Sequence, residues 1–135
     1  MITTQNEMLM PTLFERYKKK LVAVLNASLI WNIAKLPCNN FDLQIKKYEE
    51  ECDEAIEAEK NSYQNMVEEL ADVLIAIGGL MRFDEEIAQN ALHEFMECLD
   101  KYVFMDVVDY AEQKIPILYE RTYSDGYHHD EEYHD

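Results

Sequence analysis

Closely spaced carboxylates are the residues of this sequence with the clearest capacity for chemistry. They form two groups, Glu50, Glu51 and Glu54 first, and Glu69 and Asp72 after a short break. A spacing of three residues brings two side chains to one face of a helix, one turn apart. If the two segments form antiparallel helices joined by a turn, then four of these carboxylates can converge: Glu51, Glu54, Glu69 and Asp72.

The two groups differ in how easily an ordinary solvated surface explains them. In the first segment an apolar stripe at helical spacing leaves most of the glutamates on the opposite face, and it consists of Ile45, Tyr48, Cys52 and Ile56. In the second segment, Glu69 and Asp72 border the apolar run that completes the helix. An ionised carboxylate at the edge of a core is costly unless a shifted pKa, a cationic side chain or a metal compensates it.

The scarcity of basic side chains near these carboxylates favours a bound metal. Between Glu49 and Gly79 the only lysine or arginine is Lys60, at the turn between the segments. Bound metal is therefore the economical solution unless another helix brings in a lysine or arginine. Oxygen ligands without His or Cys favour Mg²⁺, with Mn²⁺ as a substitute, and such ions complete their coordination with water and substrate phosphates. The cluster thus indicates phosphate chemistry, in which the cation offsets charge on a leaving pyrophosphate.

The two motifs together resemble a known signature. Glu50-Glu51-x-x-Glu54 followed by Glu69-x-x-Asp72 is similar to the EExxE and ExxD pattern of the MazG-like all-α nucleoside triphosphate pyrophosphatases, and the resemblance covers mainly residues 44–80. It implies an all-α bundle of four to five helices whose core is completed by a second chain. It also implies Mg²⁺-dependent hydrolysis of (deoxy)nucleoside triphosphates to monophosphate and pyrophosphate, in nucleotide-pool housecleaning.

The resemblance also assigns roles to residues. Glu51, Glu54, Glu69 and Asp72 would be metal ligands, and Glu50 would assist or position the attacking water. A second frame, Glu49-Glu50-x-x-Asp53, is possible. The first frame is preferred because it has Glu in its third acidic position and a small residue, Ala55, after it.

The substrate-binding residues are less clearly marked. The family has basic residues on later helices, and Lys114 and Arg121 are candidates here by position alone, with Pro116 between them expected to kink or split the helix. Trp31, beside Asn32, could stack on a base, although a core position is the more ordinary role for a single tryptophan.

Helical periodicity predicts the elements that position these residues. Pro37 and the Asn39-Asn40 pair separate the first two helices, and Asn61-Ser62 separates the next two. Thr12 and Glu15 have the spacing of a capping box, and Asp84 can cap the fourth helix. The predicted helices cover about residues 13–35, 42–60, 63–82, 84–102 and 106–121.

Composition places these helices in one domain. The chain has 135 residues, with 48% hydrophobic and 30% charged residues but only 3 Gly and 3 Pro, which suits a single helical domain over residues 1–123. Residues 124–135, SDGYHHDEEYHD, are too polar to bury much surface and are expected to form a disordered tail. Three cysteines without metal-ligand spacing predict a reducing cytoplasm, and no signal peptide or membrane span is apparent.

The charge leaves one rival hypothesis. The net charge is −16, concentrated after residue 50, so direct binding to a polynucleotide is not expected. The rival is a non-enzymatic acidic interaction protein, either a DNA mimic or an inactive relative of the family. A mimic would spread its carboxylates over an outer surface, whereas an enzyme would converge them on one site. For the enzyme we expect a nucleoside triphosphate substrate and a homodimer or homotetramer.

Overall fold

The computed structural model describes the backbone of residues 2–121 and the side chains of residues 12–121, and this part of the chain is all-helical. Its five helices are α1 (Ile2–Lys35), α2 (Phe41–Ala58), α3 (Tyr63–Leu80), α4 (Glu85–Glu97) and α5 (Lys101–Glu120). The predicted all-α bundle is confirmed. The predicted tail, residues 124–135, lies outside the described residues.

Short polar side chains set where four of the helices begin. Asn40 accepts a hydrogen bond from the Leu43 amide at 2.9 Å, and Ser62 accepts one from the Asn65 amide at 3.1 Å. Asp84 and Asp100 cap α4 and α5 in the same way. Such caps satisfy amides that have no partner within the helix, and the predicted cap at Asp84 is confirmed.

The first helix is longer than predicted. Because α1 begins at Ile2, Thr12 and Glu15 lie inside the helix, and the predicted capping box is wrong. The Glu15 carboxylate pairs with Lys18 at 3.3 Å, one turn further along the helix. The spacing of a capping box also fits an i, i+3 ion pair within a helix, so spacing alone did not locate the start.

The last two helices divide at a different place from the one predicted. Asp100 caps α5, so the break falls near residue 99 rather than after Tyr102, whose side chain is 67% exposed. The buried stripe of α4 consists of Ala88, Ala91 and Phe95. Pro116 was predicted to kink or split the last helix. Helix α5 continues through it to Glu120, so the helix is not split there. A proline inside a helix removes one backbone hydrogen bond.

Helix α3 lies at the centre of the bundle, in contact with each of the other four helices. Its second half, residues 73–80, is buried on every side, as the apolar run predicts. A Cβ atom on Gly78 would lie 2.9 Å from the Leu25 carbonyl oxygen. The missing side chain therefore lets α1 and α3 approach closely. None of the described helices is both long and apolar enough to cross a membrane.

A buried amide network fixes the start of α2 against α1 and α3. Gln44 Nε2 donates to the Ala76 carbonyl at 2.9 Å, and Asn39 Nδ2 donates to Gln44 Oε1 at 2.7 Å. Asn32 Nδ2 also donates to Gln44 Oε1, at 3.1 Å. Because buried amides that are hydrogen-bonded hold one geometry, this network sets the register of α2 beside α3. Glu51 lies seven residues after Gln44, on the same face of α2.

Candidate metal centre

Three carboxylates meet where α2 packs on α3. Glu51 comes from α2, Glu69 and Asp72 come from α3, and one oxygen of each lies within 4.8 Å of the other two. Oxygens that ligate one Mg²⁺ lie up to about 4.2 Å apart, because the bonds are about 2.1 Å long. The three oxygens are therefore within a small side-chain adjustment of ligating one ion.

Close packing of small residues brings the two helices together at this point. Ala55 and Ala58 are buried on the face of α2 that carries Glu51, and Ala71 of α3 is fully buried between Glu69 and Asp72. Glu51 is only 6% exposed, while the two acids on α3 are half-buried. The cluster thus lies at the border of the core rather than on the solvated face of either helix.

Two lysines compensate part of this negative charge. Lys47, one turn before Glu51 on α2, places Nζ 2.9 Å from Glu51 Oε1. Lys114 of α5 forms an ion pair with Asp72 Oδ1. A lysine from another helix was one expected alternative to a metal, and α5 supplies it; Lys47 was not among the expected partners. A glutamate four residues after a lysine is the signal that could have identified this pair.

Glu69 has no lysine or arginine partner among residues 12–121. Burial is the largest cause that raises its pKa to about 7, and the charges of Asp72, Glu54 and Glu51 and a hydrogen bond with Glu54 add to the effect. Burial also raises the pKa of Glu51, with Asp72 contributing, although the Lys47 ammonium acts in the opposite direction. Both carboxyls are thus in surroundings that disfavour their ionised form.

Two oxygens of the cluster have no hydrogen-bond partner among residues 12–121. They are Glu51 Oε2 and Glu69 Oε2, and both are inaccessible to solvent. Buried polar atoms are normally paired, because an unpaired one carries its full desolvation cost. Two unsatisfied carboxylate oxygens from different helices, close to Asp72, are what an oxygen-ligated cation would satisfy.

The other predicted catalytic and metal-binding residues lie at the rim of the cluster. Glu54 is exposed on α2 and falls outside the group of three, although it lies near enough to Glu69 to affect its pKa. Glu50 is also exposed. The structure therefore brings together three of the four predicted ligands and places Glu54 and Glu50 on the solvent side.

The predicted substrate-binding residues are in three different environments. Trp31 is 5% exposed and belongs to the hydrophobic core. Lys114 reaches Asp72, as described above. Arg121 is half-buried just after the last turn of α5. Lys114 thus contacts the carboxylate cluster directly.

Three polar side-chain contacts hold α5 parallel to α3 and position Lys114. Tyr63 donates to Asp106, Tyr110 Oη donates to Glu68 Oε1 at 3.1 Å, and Lys114 pairs with Asp72. Successive contacts are separated by about one helical turn on each helix, as expected for two parallel helices. The last contact, between Lys114 and Asp72, belongs to the carboxylate cluster.

Comparison of the chain with protein-family models, with curated proteins and with solved structures finds no match. The resemblance to the MazG-like pyrophosphatases therefore rests on the two acidic motifs and on the helices that carry them.

Proposed function

We propose that this protein is a metal-dependent pyrophosphohydrolase that cleaves nucleoside or deoxynucleoside triphosphates to monophosphate and pyrophosphate. Glu51, Glu69 and Asp72 would hold Mg²⁺, with Mn²⁺ as a substitute, and Glu54 would join from the rim. The observation that carries the proposal is a pair of buried oxygens, on Glu51 and Glu69, that have no hydrogen-bond partner in the described part of the chain. They belong to a group of carboxylates within 4.8 Å of each other.

The residues around the group fit this chemistry. A bound divalent cation would offset the charge of the phosphates and of the departing pyrophosphate. Glu50 and Glu54, which are exposed at the rim, can orient water and accept a proton from it. Lys47 and Lys114 provide ammonium donors beside the same carboxylates, and lysine is a common partner of phosphate oxygens.

The geometry favours this function over a DNA mimic. A mimic needs its carboxylates spread over an outer surface, whereas Glu51 is 6% exposed and its neighbours in the cluster are half-buried. The inactive-relative hypothesis has one specific observation in its favour, since lysines already neutralise two of the three acids. Catalysis therefore has to be tested together with metal binding.

The test is release of pyrophosphate from a panel of NTPs and dNTPs with Mg²⁺, with and without EDTA. We compare the wild type with Glu69→Gln and Asp72→Asn, and use Glu57→Gln as the matched control, because the Glu57 side chain is 74% exposed. We expect EDTA-sensitive release in the wild type and control, and release at background in the two cluster variants. Release that survives in both folded cluster variants would refute the site. A wild type that binds Mg²⁺ but cleaves nothing would support the inactive relative.

A further inference from the structure

The two lysines of the candidate metal centre are held firmly at their carboxylates. The Lys47 side chain is 34% exposed and the side chain of its partner Glu51 is 7% exposed, while the side chains of Lys114 and Asp72 are 19% and 22% exposed. The lysines approach from different directions, because Lys47 lies on α2 with Glu51, whereas Lys114 extends from α5 to α3. Each is a partly desolvated ion pair within the bundle, where a charge interaction is stronger than in water.

These lysines and a metal ion would use the same negative charge. Three carboxylates carry three charges when ionised, and the two ammonium groups already balance two of them. A divalent cation placed among the carboxylates with both lysines in position would lie next to two like charges. The ammonium groups also pair with Glu51 Oε1 and Asp72 Oδ1, on two of the three carboxylates that the cation would bind. Metal and lysines are therefore competitors for the site.

We infer that Lys47 and Lys114 are internal counter-cations of the metal-free protein, which leave Glu51 and Asp72 when a divalent cation binds and then bind the triphosphate of the substrate. Loading the site is an exchange of ammonium for metal. Both lysines have long, flexible stems, so release requires rotation of the side chains alone. The inference rests on the proposed function for its metal and its substrate, but the exchange itself can be measured without catalysis.

The first experiment uses the wild-type chain. Lysines are acetylated with a limiting amount of reagent, with and without saturating Mg²⁺, and the modified sites are quantified by mass spectrometry. We expect Mg²⁺ to increase acetylation of Lys47 and Lys114 severalfold, because a released amine is more accessible. Lys46 is the internal control, since it is exposed and already free of the cluster.

Calorimetry of Mg²⁺ binding on the same sample distinguishes failure of the exchange from failure of the metal centre. If Mg²⁺ binds and neither lysine gains reactivity, the exchange is refuted while the metal centre stands. If Mg²⁺ does not bind at all, the metal centre of the proposed function fails and the exchange fails with it.

The second experiment compares Lys114→Met and Lys47→Met with the matched control Lys46→Met. Free Mn²⁺ is counted by electron paramagnetic resonance, and KM for a cleaved nucleotide is measured separately. Removing a competing ammonium should tighten Mn²⁺ binding by about tenfold relative to the control, while the lost phosphate contact should raise KM by a similar factor. Replacing a lysine with a merely structural role would not lower the Kd for Mn²⁺ while raising KM. Mn²⁺ binding that is unchanged or weaker in folded variants would overturn the exchange, and the wild-type labelling decides the matter if a variant does not fold.

Discussion

Replacing Glu69 by glutamine should stabilise the metal-free protein at alkaline pH even as it removes activity. The surroundings raise the pKa of Glu69 to about 7 from its ordinary value of 4.5, chiefly through burial and then through the neighbouring acids. Between these two values the unfolded chain has lost the proton while the folded chain retains it. The free energy of unfolding of the wild type therefore falls as the pH rises from 4.5 to about 7 and is lowest above that range.

The size of this effect follows from the same interval. Each pKa unit corresponds to about 1.4 kcal/mol, so the interval from 4.5 to about 7 gives an upper bound of about 3.5 kcal/mol. Partial exposure of Glu69 to solvent reduces the expected value to about 1–2 kcal/mol. Glutamine is neutral at every pH and has nearly the same shape as a protonated glutamate. The variant should thus exceed the wild type only slightly at pH 5, near the start of this range, and by about 1–2 kcal/mol at pH 8.5.

Urea denaturation at pH 5 and pH 8.5 measures this difference. With a slope of about 1.5 kcal/mol per M urea, the midpoint of Glu69→Gln should lie roughly 1 M above that of the wild type at pH 8.5. Mg²⁺ should reduce this difference between the two midpoints, because it stabilises the ionised wild-type site and has one ligand fewer in the variant. Glu57→Gln controls for the loss of one surface charge. An equal gain at both pH values, or none at pH 8.5, would show that Glu69 is not the destabilising carboxyl argued here.

Two further predictions concern the scaffold and its assembly. Gly78→Ala should lower the free energy of unfolding by about 1–3 kcal/mol, because the added Cβ would lie 2.9 Å from the Leu25 carbonyl oxygen. Urea denaturation checks this, and an unchanged midpoint would mean that α1 and α3 are not so closely packed. The expected homodimer or homotetramer needs an apolar surface between chains, and Ile30 and Ile33 of α1, which are 59% and 52% exposed, are candidates for it. If the chain assembles through them, the variant Ile30→Lys/Ile33→Lys should be monomeric by light scattering. A wild type that is itself monomeric would contradict the expected homodimer or homotetramer.

Local features of the sequence predicted the fold well where a single residue or a short run determines where a helix begins or which residues are buried. Asn40, Ser62 and Asp84 each have a short polar side chain that reaches a free amide, and α2, α3 and α4 begin directly after them. The apolar run of residues 73–80 could only be buried, and it forms the centre of the bundle.

The errors came where a local pattern permits two outcomes. The spacing of Thr12 and Glu15 is compatible with a helix start and with a helix interior. Because α1 begins upstream, at Ile2, the two residues lie in the helix interior. Asp100 and the residues before it can continue a helix or cap a new one, and the core contacts of Phe104 and Met105 favour the new helix. Such choices depend on tertiary packing, which a sequence window does not contain.

The candidate site shows the same division between local and tertiary information. Helical spacing places Glu69 and Asp72 together at the edge of the core, and the buried amides of Gln44 and Asn39 bring Glu51 beside them. The compensating charge, however, cannot be counted within a segment, because Lys114 lies 42 residues after Asp72. Which acid remains without a cation is therefore a property of the assembled bundle.

The distribution of charge around the three acids fits the proposed exchange better than it fits a cluster with a purely structural role. A purely structural cluster would be most stable with a cation for every carboxylate, or with apolar residues in place of the ion pairs. Here Glu51 and Asp72 have lysine partners, whereas Glu69 has none among residues 12–121. Two lysines on rotatable stems allow the metal-free protein to fold with its carboxylates already adjacent. In the proposed exchange, a cation that displaces the lysines would find its ligands in place, so little reorganisation would oppose binding.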